Sequence, residues 1–190
     1  MSSDNSKKLD KTATGDLNDN GVFLFMEDVT EDSCRDAIEF ILEANLEPNP
    51  NYDHLTLIIN SHGGSCYDGF ALLDVMAGSK LPVHTVGIGL IASMGLLLFM
   101  GGKKGHRILT PRTMIMSHQW FGVDFGKEHE LLATLKKNEL LSKMIMKHYQ
   151  KCTGMKEKEI REKLLPASDV WLTAEEAMSY GICDQIKLLG

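Results

Sequence analysis

Residues 89–102, GLIASMGLLLFMGG, decide the fold of this chain. They continue an apolar run, VHTVGI (83–88), which is typical of a buried strand, and their leucine-rich second half is typical of a buried helix. Ser93 lies where the predicted strand gives way to the predicted helix. A side chain at such a junction is exposed at the sheet edge, close to convergent backbone N–H groups. Ser93 is therefore either a small residue that packs well or a reactive hydroxyl.

Strands and helices are predicted to alternate along most of the chain. The strand patterns cover 21–26, 55–60, 83–88, 106–110, 113–118 and 182–189, and the helix patterns cover 30–45, 67–78, the residues after Ser93, 127–152, 156–165 and 173–181. Thr30 is the predicted N-cap of the first helix, and Thr173 with Glu176 has capping-box spacing ahead of a C-terminal Gly181. This alternation predicts an α/β domain with a mostly parallel sheet. Without internal repeats or interior linkers, we expect one domain over 21–190 after a flexible polar segment, 1–20.

Composition excludes several classes of protein. The chain has 190 residues, 43% of them hydrophobic and 24% charged, as in ordinary globular proteins. A net charge of −6 argues against nucleic acid or an anionic membrane as the main partner. The cluster KKGHR (103–107) is interpreted as a solvated turn. The uncharged run 85–102 contains five glycines, so a buried strand and helix explain it better than a membrane span.

The four cysteines give no sign of a metal site or a disulfide framework. They are Cys34, Cys66, Cys152 and Cys183, widely separated and without a CxxC pair. No apolar segment typical of a signal peptide occurs among the first twenty residues. We therefore expect free thiols in the cytoplasm or another reducing compartment, with no metal and no cofactor.

Two familiar motifs are incomplete around Ser93. The run GIGLIA (87–92) satisfies the dinucleotide-binding glycine pattern, but that pattern needs an acidic residue about twenty positions later. Arg107, Thr110 and Arg112 occupy that region instead. The GxSxG motif of α/β-hydrolases also fails, because Ile91 replaces the leading glycine.

A reactive serine needs a base and an orienting acid, and the sequence offers candidates for both. His118 ends the apolar run TMIMSH, and Asp169 precedes the last capped helix. Gly63 and Gly64 follow a predicted strand, where glycines let backbone N–H groups approach an oxyanion. Taken singly, these residues fit a structural histidine, a capping aspartate and a tight turn. The histidines assigned to loops or helix surfaces are His54, His84, His106, His129 and His148.

As a set, four segments resemble one family. They are LIINSHGG (57–64), GLIASMG (89–95), MIMSHQ (114–119) and DVWLTAEEAMSYGICDQI (169–186). In order and approximate spacing from residue 22 to residue 186, they are similar to the motifs of ClpP, the peptidase subunit of ATP-dependent Clp proteases.

The resemblance implies roles for five residues. Ser93 would be the nucleophile, His118 the general base and acid, and Asp169 the residue that orients the imidazole. The backbone N–H groups of Gly64 and Met94 would form the oxyanion hole. The chain would then be a serine endopeptidase.

The resemblance also implies a fold and an assembly. The fold would be ClpP/crotonase-like, built from repeated β-β-α units, with a projecting handle helix from about residue 127. Two seven-membered homo-oligomeric rings would enclose a chamber, into which an AAA+ unfoldase threads unfolded polypeptides. Neither nucleic acid nor membrane would be a partner.

Three positions depart from the family pattern. His62 replaces a usual proline beside the glycine pair, and Ala167-Ser168 replaces an Asp-Arg pair that bonds across the ring interface. The segment 11–21 is polar and acidic where pore loops are usually hydrophobic and basic. We expect ring stacking to depend on handle packing or other contacts.

Three alternatives remain. A crotonase-type acyl-CoA enzyme shares the fold but lacks a Ser-His-Asp triad, and a membrane-bound protease of related fold needs additional spans. A catalytically idle or regulatory subunit of a mixed ring would typically have lost a triad member, whereas this chain has all three.

Overall fold

The computed structural model describes residues 17–123 and 125–189. In chain order the elements are β1 (Val22–Phe25), α1 (Glu31–Leu46), β2 (Leu55–Ser61), α2 (Cys66–Gly78), β3 (Val83–Ala92), α3 (Met94–Met100), β4 (Arg107–Leu109), β5 (Met114–Ser117), α4 (Glu128–Thr153), α5 (Glu157–Lys163), β6 (Val170–Leu172), α6 (Ala174–Ser179) and β7 (Gln185–Ile186). Most of the expected polar segment 1–20 lies outside the described residues. Its end, Asn18–Asn20, forms a 3-10 turn ahead of β1.

The strands form one sheet in the order β1-β2-β3-β4-β7, with β5 pairing to β3 and β6 pairing to β5. Five of these pairings are parallel, and only β5 with β6 is antiparallel. The predicted α/β class with a mostly parallel sheet and a long helix is therefore confirmed; that helix is the 26-residue α4.

The central strand β3 extends further than the sequence predicted. It continues through Gly89 to Ala92, because an irregularity accommodates two extra residues between its pairings with β2. Gly89 has φ +61°, and the Asn60 side-chain oxygen accepts a hydrogen bond from the Leu90 N–H at 3.0 Å. This hydrogen bond replaces a backbone hydrogen bond that the irregularity removes from the β2–β3 pairing. Beyond the irregularity β3 leaves β4 and pairs with β5, which aligns the end of β3 with that of β5.

The uncharged run folds as a buried strand and helix, as predicted. Every residue of α3 is buried. No helix within residues 17–123 and 125–189 combines the length and apolar character that crossing a membrane requires.

The predicted helix caps are present, but one strand was missed. The Thr30 side chain accepts from the Ser33 N–H, and Thr173 and Glu176 form a reciprocal capping box. β6 is only three residues long and was not predicted, and β7 covers only two of the eight residues expected for the last strand. Pairing with distant strands, rather than local pattern, decides such short elements.

The interpretation of 103–107 as a solvated turn was wrong for its last residue. Arg107 is only 2% exposed and forms a two-pronged ion pair with Asp184, at 2.9 Å and 2.7 Å. Its remaining nitrogen donates to the carbonyl of Cys152 at 3.1 Å. Burial by itself would raise the pKa of Asp184, but hydrogen bonds from Arg107 outweigh it and hold that pKa below its usual value.

All four cysteines are free, as the sequence predicted. Burial raises the pKa of both Cys34 and Cys183 to about 11. These two side chains are therefore neutral thiols at physiological pH.

Candidate active site

Ser93 has an unusual backbone conformation. Its φ of +53° makes it the one non-glycine residue with positive φ in the described part of the chain. Such a conformation is strained for an L-residue and persists only where its surroundings enforce it. Here the Ser93 N–H donates to the Met116 carbonyl of β5 at 3.0 Å, and the Ser93 carbonyl accepts from the Leu96 N–H of α3. Ser93 is thus fixed as a sharp turn between β3 and α3.

Gly63 provides the space that this turn needs. A Cβ at Gly63 would lie 2.7 Å from the Ser93 Cβ and 2.9 Å from the Met94 nitrogen, closer than real carbon atoms approach. A GxSxG elbow likewise depends on glycines around its serine. In this chain a glycine from the β2–α2 loop performs that role, although the local motif is incomplete.

His118 contacts Ser93 directly. β3 and β5 run parallel with Ala92 opposite Met116, so both strands end at the same edge of the sheet. Across this edge the His118 Nε2 lies 2.7 Å from the Ser93 Oγ, which is hydrogen-bond distance. An imidazole in this position can accept the serine proton.

Asp169 is close to His118 but not hydrogen-bonded to it. The antiparallel pairing of Ser117 with Val170 places Asp169 across from His118. The Asp169 Oδ1 lies 3.9 Å from the His118 Nδ1, and its side chain is 59% exposed. Orienting the ring by a hydrogen bond would require these two atoms to lie about 1 Å closer together.

Ser117 and Gln119, on either side of His118, connect it by hydrogen bonds to the segment before Asp169. Neither residue was identified from the sequence. The buried Ser117 Oγ donates to the Leu164 carbonyl at 2.6 Å and also contacts the Tyr149 hydroxyl at 2.7 Å. The Gln119 amide donates to the Leu165 carbonyl at 3.1 Å. Burial raises the Tyr149 pKa to about 12, so its hydroxyl stays protonated. The sequence feature that could have identified Ser117 is the presence of a serine in the otherwise apolar strand MIMS.

The two predicted oxyanion donors lie next to the serine turn. Gly64 bridges Val29, and its neighbours Gly63 and Ser65 make both hydrogen bonds to Val29 at 2.8 Å. In a parallel bridge of this kind, the N–H of Gly64 itself points away from Val29. Gly64 has φ +145°, and a Cβ there would collide with the Val29 carbonyl. Met94 begins α3, where a backbone N–H has no partner within the helix.

Of the histidines assigned to loops or helix surfaces, His54 and His106 do lie in loops, whereas His84 lies in strand β3. His54, His84 and His106 stack on one another, with ring centroids 4.1 Å and 4.0 Å apart. Burial, followed by the neighbouring His54 and His106, lowers the His84 pKa to about 4. His148 is largely buried, which lowers its pKa to about 4 as well, and its Nε2 contacts the Leu97 carbonyl at 2.9 Å.

Metal ligation has no visible basis in the described ranges. There the histidine, cysteine and carboxylate side chains form no group of three arranged to hold a metal ion. GIGLIA also does not form a phosphate-binding loop, because Gly87 and Gly89 both lie inside β3.

The fold and site define an α/β protein with a serine–histidine pair at the edge of a mostly parallel sheet. The family model described as Clp protease matches residues 5–188. The chain therefore belongs to the Clp protease family.

Individual relatives agree with this assignment. The ATP-dependent Clp protease proteolytic subunit 2 of Thermobifida fusca is 38% identical over 132 residues, which cover 70% of this chain and 64% of the relative. Subunit 1 of Salinibacter ruber is 33% identical over 141 residues, 74% of this chain and 60% of the relative. Subunit 1 of Prochlorococcus marinus is 34% identical over 160 residues, 84% and 80% respectively. The chain thus spans less than two thirds of the length of the first two relatives.

Proposed function

We propose that this protein is a serine endopeptidase, with Ser93 as nucleophile, His118 as general base and acid, and Asp169 as the orienting carboxylate. The 2.7 Å contact between the His118 Nε2 and the Ser93 Oγ carries this proposal. The strained backbone of Ser93 supports it, because strain of this kind concentrates at functional sites.

The proposed reaction is acyl transfer. As His118 Nε2 takes the hydroxyl proton, Ser93 Oγ attacks the carbonyl carbon of a peptide bond. The N–H groups of Gly64 and Met94 stabilise the resulting oxyanion, a contribution of about 10²–10³ in rate for one donor. His118 then donates its proton to the leaving amine. A water molecule, deprotonated by His118, hydrolyses the acyl ester and restores Ser93.

Asp169 completes this mechanism by approaching His118. At 3.9 Å from the His118 Nδ1 it makes no hydrogen bond that would orient the ring. We infer that assembly brings the β5–β6 edge and the segment before Asp169 closer together. Ser117 and Gln119 connect these two parts, so a small shift of one is transmitted to the other.

The exposed surface of α4 supports assembly into homo-oligomeric rings stacked in pairs. Its N-terminal half and the segment before it expose many large apolar side chains, namely Phe121, Val123, Phe125, Leu131, Leu132 and Leu135. Phe125 is 93% exposed. Apolar patches of this kind mark interaction sites. Ala167 and Ser168 cannot form an ion pair, so this surface would hold two seven-membered rings together.

The substrates and partner follow from such a chamber. The relatives carry the name ATP-dependent Clp protease proteolytic subunit. By analogy, an AAA+ unfoldase would supply unfolded polypeptides to Ser93 inside the closed chamber. The four free thiols suit the cytoplasm or another reducing compartment.

A fluorophosphonate probe tests the proposed nucleophile. We expect intact mass to show one adduct per chain at neutral pH, and none on Ser93→Ala. An adduct that persists in Ser93→Ala would contradict the assignment of Ser93.

The second candidate is a catalytically idle subunit of a mixed ring. The long and exposed contact of Asp169 favours it. Absence of any adduct on the assembled protein, with the fold intact by circular dichroism, would support this candidate and contradict the peptidase.

A further inference from the structure

A cavity of about 750 Å³ lies at the opposite end of α3 from Ser93. Its walls are the end of α2, the turns that follow α2 and α3, and the C-terminal half of α4. None of the residues proposed for peptide hydrolysis lines it.

Five lysines from three separate parts of the chain surround this cavity. Lys80 follows α2, Lys103 and Lys104 follow α3, and Lys147 and Lys151 lie one turn apart on α4. Across the described residues, no carboxylate lies within ion-pair distance of any of the five. This is a concentration of positive charge in a chain whose net charge is −6.

The negative ends of helix dipoles offset only part of this positive charge. The C-termini of α2, α3 and α4 all reach the cavity, and each carries about −0.5 of an elementary charge. Together with Asp74, the one carboxylate among the described residues of the lining, the negative charge is about −2.5. Five ammonium groups exceed it about twofold, so the cavity retains the capacity to bind an anion.

The other basic side chains in the lining leave this balance unchanged. Arg107 is neutralised by Asp184, at 2.7 Å. His148 is uncharged at neutral pH, since burial lowers its pKa to about 4. The positive charge therefore resides on lysines at the rim, where their three-donor ammonium groups suit phosphate oxygens.

The floor of the cavity is apolar. Leu73, Met76 and Met100 are buried there, and Phe70 and Met144 form the adjoining wall. An apolar floor with a few charged groups at the rim is the usual form of a small-molecule site, and the volume lies within the usual range of about 300–1,000 Å³.

We propose that this cavity binds a small organic phosphate of nucleotide size. Its phosphates contact Lys147, Lys151 and the lysines opposite them, and its less polar part rests on the methionine and leucine floor. This inference does not depend on the proposed peptidase activity.

Isothermal titration calorimetry on the full assembled chain tests the proposal, with ADP, adenosine and inorganic pyrophosphate as probes at a fixed salt concentration. ADP is expected to bind saturably, more tightly than pyrophosphate, and adenosine is expected to bind at least tenfold more weakly than ADP. The double variant Lys147→Gln/Lys151→Gln should weaken ADP binding at least tenfold.

The matched control is Lys158→Gln/Lys187→Gln, which removes the same charge from exposed positions outside the cavity. It should change the ADP affinity less than twofold. Absence of saturable ADP binding below millimolar concentration would overturn the proposal, as would equal weakening by the two double variants. Pyrophosphate binding as tight as that of ADP would overturn the proposal that the ligand is organic, because the apolar floor would then contribute nothing to the affinity.

Discussion

Two aspartates each face a basic side chain, yet the two pairs differ in almost every physical respect. Asp184 lies 2.7 Å from Arg107, and the two side chains are 15% and 2% exposed. Asp169 lies 3.9 Å from His118, and the corresponding values are 59% and 23%. Asp184 also accepts hydrogen bonds from the Gly105 and Arg107 backbone N–H groups.

The difference in burial leads to different physical behaviour in the two pairs. A buried ion pair is tolerated only when its hydrogen-bonding capacity is filled, so Arg107 and Asp184 hold β4, β7 and the end of α4 in one arrangement. An exposed carboxylate remains hydrated and can adjust its position at low cost. We therefore expect the first pair to govern stability and the second, in the proposed mechanism, to respond to assembly or substrate.

The largest effect is expected for Asp184→Asn. Arg107 would keep its burial but lose its counter-charge, so the free energy of unfolding should fall by about 3–5 kcal/mol, measured by urea denaturation. The double variant Arg107→Met/Asp184→Leu should recover part of this loss. A decrease below about 1 kcal/mol in Asp184→Asn would show that the buried pair does not govern stability.

The second prediction concerns His148, a buried group whose protonation should lower the free energy of unfolding at acid pH. The His148 pKa is about 4 in the folded chain and 6.5 when unperturbed, so the unfolded state binds more protons between these values. Stability should therefore fall as the pH drops from 6.5 to 4, by about 3 kcal/mol from this residue. His148→Gln should lose that part of the pH dependence.

His129→Gln is the control, because His129 is an exposed histidine on the same helix. Its pH profile of unfolding should match that of the parent chain. Identical acid profiles for His148→Gln and the parent chain would contradict the assignment to His148.

Asp169→Asn is the counterpart of Asp184→Asn at the exposed pair. We expect kcat/KM for a fluorogenic peptide to fall about 10²-fold, less than the roughly 10⁴-fold loss when a buried triad aspartate becomes asparagine. Stability should change by less than about 0.5 kcal/mol, as for surface substitutions in general. A stability loss as large as that of Asp184→Asn would remove the distinction between the two pairs.

The smallest effect is expected for Tyr149→Phe. Ser117 loses one hydrogen-bond partner but keeps the Leu164 carbonyl, so the cost should be about 1 kcal/mol in the free energy of unfolding. Ser117→Ala should cost more, since it leaves both Tyr149 and Leu164 without this partner. Equal costs would mean that Ser117 does not connect α4 to the segment before Asp169.

Local sequence determined much of this protein. Caps at Thr30 and Thr173, the helical patterns and the apolar strand runs depend on residues within a few positions of each other. They were sufficient for the α/β class and the long helix. Local patterns offered Ser93, His118 and Asp169 only singly, and the resemblance combined them into one proposed site.

The tertiary structure decided what depends on distant segments. β6 and the Arg107–Asp184 pair exist because strands far apart in sequence are brought into register, and no local pattern specifies that register. The histidine stack and the lysine-lined cavity arise in the same way, each from three separate parts of the chain. The conformational preferences of a short segment depend on its neighbours in sequence, whereas the burial of a side chain and its distance from other charges depend on its neighbours in space.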